Sequence, residues 1–264
     1  AWDGAGVVGG RVRQPVFGRL VNLRLVEAGR PPATTEPRYY VSPLLDMTLR
    51  EELNDTERLE ASRRAARHLY RIWWKTGVRI DEAQELEIHR LALQAGEAVI
   101  AGELADAIAS RWVYTARYRE AERLCQDTLR LGEDYRLSHN LARAEKMLGK
   151  TDKAKQHYET ALAGCPEINA KTEKPIIREY AAIQHNLADL LNQRGDIEGA
   201  LSLWRDSLDL KERIGDVRGK AATLHQMAGV IAQRGDIEGA LSLWRDSLDL
   251  SDQIGDVRGK AATL

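Results

Sequence analysis

The sequence predicts an all-α fold, a solenoid of stacked helix pairs, and three observations support that prediction. The first is an internal duplication. Residues 195–224 read GDIEGALSLWRDSLDLKERIGDVRGKAATL, and residues 235–264 repeat them at 27 of 30 positions with an offset of 40. Only Lys211-Glu212-Arg213 against Ser251-Asp252-Gln253 differ. A period of roughly 20 to 50 residues marks a repeat architecture. The second observation is periodicity. Ile197, Ala200, Leu201, Trp204 and Leu208 fall at spacings of 3, 4, 7 and 11, which is one face of a helix. Upstream, Ile183, Leu187, Leu190 and Leu191 form a second stripe. Between the stripes stands Gln193-Arg194-Gly195-Asp196, where Gly195 suits a left-handed helix end and Asp196 can cap the next helix. Neither helix can bury its stripe alone, so the pairs must stack. The third is composition: among 264 residues there is one Phe and the aromatic share is 6%, which leaves Leu and Ala to fill the core.

The first 96 residues lie outside the repeats. Residues 16–28 (VFGRLVNLRLVEA) read as a short helix or helix-strand, ended by Gly29, Pro31 and Pro32. TTEPRYYVSPLL reads as extended, with strand limited to the neighbourhood of Tyr39-Tyr40-Val41. Residues 55–75 form a helix capped by Asp55 or Thr56, and Asp81 caps another over 82–96. The expected division is 1–55, a small N-terminal remnant; 56–96, a helical connector; and 97–264, about four repeats and the start of a fifth. The chain opens at Ala1 and closes at the start of that fifth unit, so both ends are expected to be cuts within a longer protein.

The repeat residues resemble the tetratricopeptide repeat. That family places a small residue after Asn-Leu in the first helix, a Gly-Asp turn, an early Ala in the second helix and an aromatic four residues later. Asn186-Leu187-Ala188, Gly195-Asp196, Ala200 and Trp204 match, as do Ala228, Gly235-Asp236, Ala240 and Trp244. A further copy carries Asn140-Leu141-Ala142, Gly149, Ala154, Tyr158, Ala161 and Pro166; another carries Ala109, Trp112, Ala116, Tyr118, Ala121 and Cys125. The early alanines Ala121, Ala154, Ala200 and Ala240 are spaced 33, 46 and 40 apart, against roughly 34 for the standard unit. The longer units are expected to carry extended helices plus loops at 214–219 and 166–175. The N-terminal part resembles the winged-helix and helical junction of signalling NTPases of the STAND class, through Tyr40-Val41-Ser42-Pro43-Leu44-Leu45 and residues 87–96. That resemblance implies a winged-helix-like remnant, and a phosphate-loop domain elsewhere in a longer protein. No GxxxxGK[ST] occurs in the chain.

Little else in the sequence points to chemistry. Gly4-Ala5-Gly6-Val7-Val8-Gly9 spells GxGxxG, but it lacks the preceding strand and following helix of a dinucleotide site. The six histidines form no HxxxH pair, and Cys125 and Cys165 lack CxxC spacing, so neither a metal nor a cofactor is expected. Cys125 takes the aromatic place of the repeat and reads as a buried apolar residue, while Trp204 and Trp244 read as core. Trp73-Trp74 reads either as core or as an exposed anchor for a partner. With 39 basic and 40 acidic residues the net charge is -1, which argues against whole-chain binding of polyanions. No apolar run reaches the roughly 18 residues of a membrane helix, and the cysteine usage suggests a cytoplasmic protein.

One pattern remains. His139, His185 and His225 share a repeat-equivalent place, each beside Asn140, Asn186 or Gln226. In the family such positions line the concave groove. Either duplication has copied harmless surface residues, or His139, Asn140, Arg143, His185, Asn186, Asp189, His225 and Gln226 form a polar ladder for a peptide. The lysine-rich clamp of co-chaperone repeats is not matched, since Arg136 and Arg143 stand there and Lys146 and Lys220 lie near helix ends. The expected function is thus a non-catalytic interaction module: the sensing or scaffold arm of a STAND-type protein, with a protein or peptide partner and room for self-association at the solenoid end. The alternative is a DNA-binding transcriptional regulator whose residues 1–55 bind duplex. Residues 1–45 hold six Arg and three acidic residues, a modest excess for that role, so nucleic acid is not the expected partner.

Overall fold

The structure is a computed structural model, and it describes residues 54–77 and 79–263 together with four strand segments nearer the N-terminus. β1 (Val7–Val8) pairs antiparallel with β2 (Arg11–Val12), and β3 (Val26–Gly29) with β4 (Arg38–Val41). Strand is therefore wider than the Tyr39-Tyr40-Val41 neighbourhood, and Val26, Glu27 and Ala28 pair as strand. Apart from these strands, residues 1–53 lie outside the described residues, and with them the rest of the GxGxxG stretch, residues 42–45 and nearly all of the segment expected to be a winged-helix-like remnant. Among the described residues, every other regular element is helical.

By its internal contacts the chain divides into two units, Ala1–Leu104 and Ala105–Leu264. In the first, α1 (Asp55–Leu69) packs along α2 (Glu82–Ala95), burying Ala65, Ala66, Ile88, Leu91 and Ala92. The cap of α1 is Asn54 instead of Asp55 or Thr56. Its side chain accepts from the Glu57 N–H at 3.0 Å, and the Glu57 carboxylate accepts from the Asn54 N–H at 3.0 Å. This reciprocal box needs Glu three residues after the cap, which only Asn54 has. Asp81 caps α2 as expected, and Gly96 ends it with φ 68°. α1 runs on into a π-helical turn, Tyr70–Trp74, in which Trp73 and Trp74 are both half-buried.

The helices that follow are α3 (Ala98–Tyr114), α4 (Tyr118–Leu129), α5 (Tyr135–Met147), α6 (Thr151–Gly164), α7 (Lys174–Gln193), α8 (Ile197–Ile214), α9 (Val217–Gln233), α10 (Ile237–Gln253) and α11 (Val257–Thr263). Within the second unit, α5 and α6, α7 and α8, and α9 and α10 form antiparallel pairs, and each pair packs on the next. The turns follow from the sequence. Gly195 adopts φ 83° between α7 and α8, and the Asp196 carboxylate accepts from the Gly199 N–H at 3.0 Å. A Cβ at Gly199 would lie 2.6 Å from that carboxylate, which accounts for the Asp-x-x-Gly spacing. Asp216, Asp236 and Asp256 cap the next three helices in the same way. Residues 214–219 are accordingly a tight helix-to-helix turn and not a loop. The connection between α6 and α7 is a loop, as expected, although Pro175 already belongs to the first turn of α7.

Ala154, Tyr158, Ala161, Ile183, Leu187, Ala188, Ala200, Leu201 and Trp204 pack as one core with Met227 and Val230. Small residues let the paired helices approach closely, and the aromatics fill the space beside them. Cys125 is buried. Trp204 is 0% exposed, whereas its copy Trp244 is only half-buried. The reading of Trp244 as core is corrected accordingly. Trp204 belongs to a core closed by Met227 and Val230 of α9.

Candidate functional site

Successive first helices of the pairs turn one polar face to a common cavity of about 770 Å³. α3 contributes Asp106, Ser110 and Tyr114, four residues apart and so on one face. α5 contributes His139, Asn140 and Arg143; α7 contributes Arg178, Glu179 and Asn186.

The inner layer of this cavity is cross-bonded. His139 is buried, with Nδ1 2.6 Å from Glu179 Oε1 and Nε2 2.8 Å from Asn186 Nδ2. The Asn186 Nδ2 can only donate, so Nε2 accepts and the ring proton sits on Nδ1, donated to Glu179. Asn140 is also buried; its amide donates to Asp106 Oδ1 at 2.8 Å and accepts from Arg143 at 3.0 Å. Burial pushes the Asp106 carboxyl up to about 6, opposed by the Arg136 charge and reinforced by Glu179 and Asp134. Burial also acts to raise Glu179, but the hydrogen bond from His139 and the charges of Arg143 and Arg136 bring it below the ordinary carboxylate value. The outer layer is different: Tyr114 is 84% exposed and Arg178 is exposed.

Of the eight residues singled out from the sequence, the cavity gathers His139, Asn140, Arg143 and Asn186. His185 and Asp189 lie on α7, and His225 and Gln226 on α9, and none of these four lines it. The three histidines do stand in register, each bonding to the next first helix. His139 reaches Glu179 and Asn186 of α7. His185 Nδ1 lies 3.1 Å from Thr223 Oγ1 of α9, and His225 Nδ1 lies 3.3 Å from Thr263 Oγ1 of α11. Asp189 accepts from Trp204 Nε1 at 3.2 Å and lies 3.7 Å from Lys146 Nζ. Burial, then the Lys211 charge, pull His185 down to about 4, so it is neutral near pH 7. Gln226 is exposed.

The sequence reading did not single out Asp106, Ser110, Tyr114, Arg178, Glu179 or Lys211. Two of these carried a signal. Glu179 stands where both later copies have glycine, Gly219 and Gly259. Lys211 is one of the three differences between the near-identical copies. Among the described residues, no group of three or more His, Cys, Asp or Glu side chains is arranged to hold a metal ion, and no helix is long and apolar enough to cross a membrane.

Residues 179–253 match the family model described as tetratricopeptide repeat. No curated protein matches the sequence. Aspartyl phosphate phosphatase F from Bacillus subtilis is similar in structure, with TM-score 0.53 and 13% identity over 95% of this chain and 64% of that one. The apo form of RapI gives TM-score 0.51 and 10% identity over 79% and 68%. MamA protein gives 0.50 and 12% over 77% and 97%. Identities this low speak for the fold alone. The paired helices of the second unit form a tetratricopeptide-type α-solenoid, and residues 179–253 carry the repeat of that family.

Proposed function

We propose that the solenoid binds a polypeptide segment in the cavity lined by α3, α5 and α7, and that it serves as the interaction arm of a larger protein. One observation carries this reading: three successive first helices present polar side chains to one cavity of about 770 Å³, over an inner layer already locked by hydrogen bonds. Such a layer loses little freedom on binding, so contacts made above it are not offset by ordering. In this reading Arg143 and Asn186 meet the segment directly, with Tyr114 and Arg178 at the rim as aromatic and guanidinium anchors. His139 and Asn140 hold them in place. His185, Asp189, His225 and Gln226 extend the ladder toward α9. The resemblance of the N-terminal part to STAND-class proteins supports a role as the sensing arm of a nucleotide-driven switch. Binding, and not catalysis, is the proposed activity.

The test is the affinity of the polypeptide partner for the full-length protein carrying Tyr114→Ala and Arg178→Ala. Both side chains are exposed, so unfolding should be unchanged, while affinity should fall about tenfold or more. Unaltered affinity would remove the cavity from the binding surface.

A further inference from the structure

A second cavity, of about 510 Å³, opens between the loop joining α6 to α7 and the helices α7 and α8. Its lining includes the acidic Glu167 of the loop and Asp206 and Asp209 of α8, the apolar Ile168 of the loop and Leu210 of α8, and one basic residue, Arg213 of α8. Both aspartates are exposed, and neither has an ion-pair partner among the described residues. Arg213 donates to the Asn169 carbonyl and so ties the loop to α8.

Gln184 also lines this cavity, and its side chain is out of place. It is 6% exposed, and its Oε1 has no hydrogen-bond partner. A buried amide oxygen left without a donor is unfavourable, and proteins seldom retain one without a use. The later copy supplies the comparison. Forty residues on, the same place in α9 is Leu224, which is buried and apolar. Asp246 and Asp249 repeat the two aspartates on α10, and Lys220 stands where α7 has Tyr180. The copy thus keeps the carboxylates but has a basic residue in place of the tyrosine and no amide acceptor. Polar acceptors and the loop occur together only at the first of the two places.

We propose that this cavity binds an alkyl chain ending in an ammonium or guanidinium group. The two carboxylates supply the charge, the Gln184 amide supplies an acceptor, and Ile168 and Leu210 receive the apolar stem, as they would for a long basic side chain. The cation can come from a lysine or arginine of a protein partner or from a free amine, since the chemistry presented is the same.

The experiment is a nuclear magnetic resonance titration of the 264-residue chain. The probes are acetyl-Gly-Arg-Gly-amide, acetyl-Gly-Lys-Gly-amide and putrescine, followed at the backbone amides of Ile168 and Leu210, which line the cavity and are kept in every variant. At least one probe should give a saturable shift. Binding by the peptides alone assigns the site to protein side chains, and binding by putrescine alone assigns it to a free amine. Replacing both Asp206 and Asp209 by Asn should weaken binding about tenfold or more, because a charge-assisted contact is lost. The same replacement at Asp246 and Asp249 should leave it unchanged. Gln184→Leu, which copies Leu224, should abolish binding while keeping the unfolding midpoint at or above that of the parent. No saturable shift with any probe would overturn the proposal. So would equal weakening from the Asp246 and Asp249 pair, or full binding by Gln184→Leu.

Discussion

Lys211 is buried on α8, and its ammonium donates to Thr223 Oγ1 at 2.7 Å. The Thr223 hydroxyl in turn donates to the Gly219 carbonyl at 2.9 Å and lies beside His185. Burial pulls the lysine from 10.5 down to about 8, with Asp216 and Asp189 pulling the other way. The sign follows from linkage: a depressed folded-state value favours the neutral amine, so that stability is full above 10.5 and is lost as pH falls through about 8. Near pH 7 the fold therefore carries a disfavoured buried charge. Lys211→Met should raise unfolding stability near pH 7 by about 1 to 3 kcal/mol, and the gain should shrink toward about pH 10. Urea unfolding at the two pH values measures this, and a gain that grows with pH would contradict it. The sequence marked Lys211 as one of three differences between the copies. Its burial was not legible, because a lysine in an amphipathic helix ordinarily keeps its charge in water.

The helix pairs offer internal controls, since two of them share nearly one sequence. Trp204 is fully buried and Trp244 is half-buried. Trp204→Ala should cost roughly 3 to 5 kcal/mol, as for a fully buried aromatic, and Trp244→Ala clearly less. Equal losses by denaturant unfolding would mean that the two environments are the same. The turns give a second control. Between α3 and α4 the left-handed place is filled by Ala116, with φ 63°, where the later turns have Gly149, Gly195 and Gly235. A side chain in that conformation is strained, so Ala116→Gly should stabilise by about 1 kcal/mol despite the added chain freedom of glycine. A loss of stability would contradict the assigned turn. Repeat pairs, caps and turn positions were legible because each follows from local rules of period and backbone conformation. The cap at Asn54 was missed because the choice among adjacent cap-forming residues depends on which one Glu57 can reach.

Across the array, the near-identity of the copies also measures what a neighbouring pair contributes. Leu201 on α8 is 2% exposed, while Leu241 at the same place on α10 is 43% exposed, and Ile237, Ile254 and Val257 are exposed as well. Exposed apolar side chains of this kind favour association. The 264-residue chain should show concentration-dependent mass in sedimentation, relieved by Leu241→Lys; a strict monomer at high concentration would count against it.

The solenoid was legible from one duplicated segment and its helical stripes. The cavity was half legible. His139, Asn140, Arg143 and Asn186 were marked by their shared repeat position. Asp106, Tyr114, Arg178 and Glu179 were not, because what joins them to the site is the stacking of three helices distant in sequence.

The central claim is that the face formed by α3, α5 and α7 receives a polypeptide, and site-specific photo-crosslinking in cells tests it most directly. A photoreactive residue placed at Ser110 or Arg178 should capture a discrete protein partner, while the same residue at Arg205 or Arg245 on the second helices should not. Capture of that partner equally from all four positions, or from none, would contradict the account.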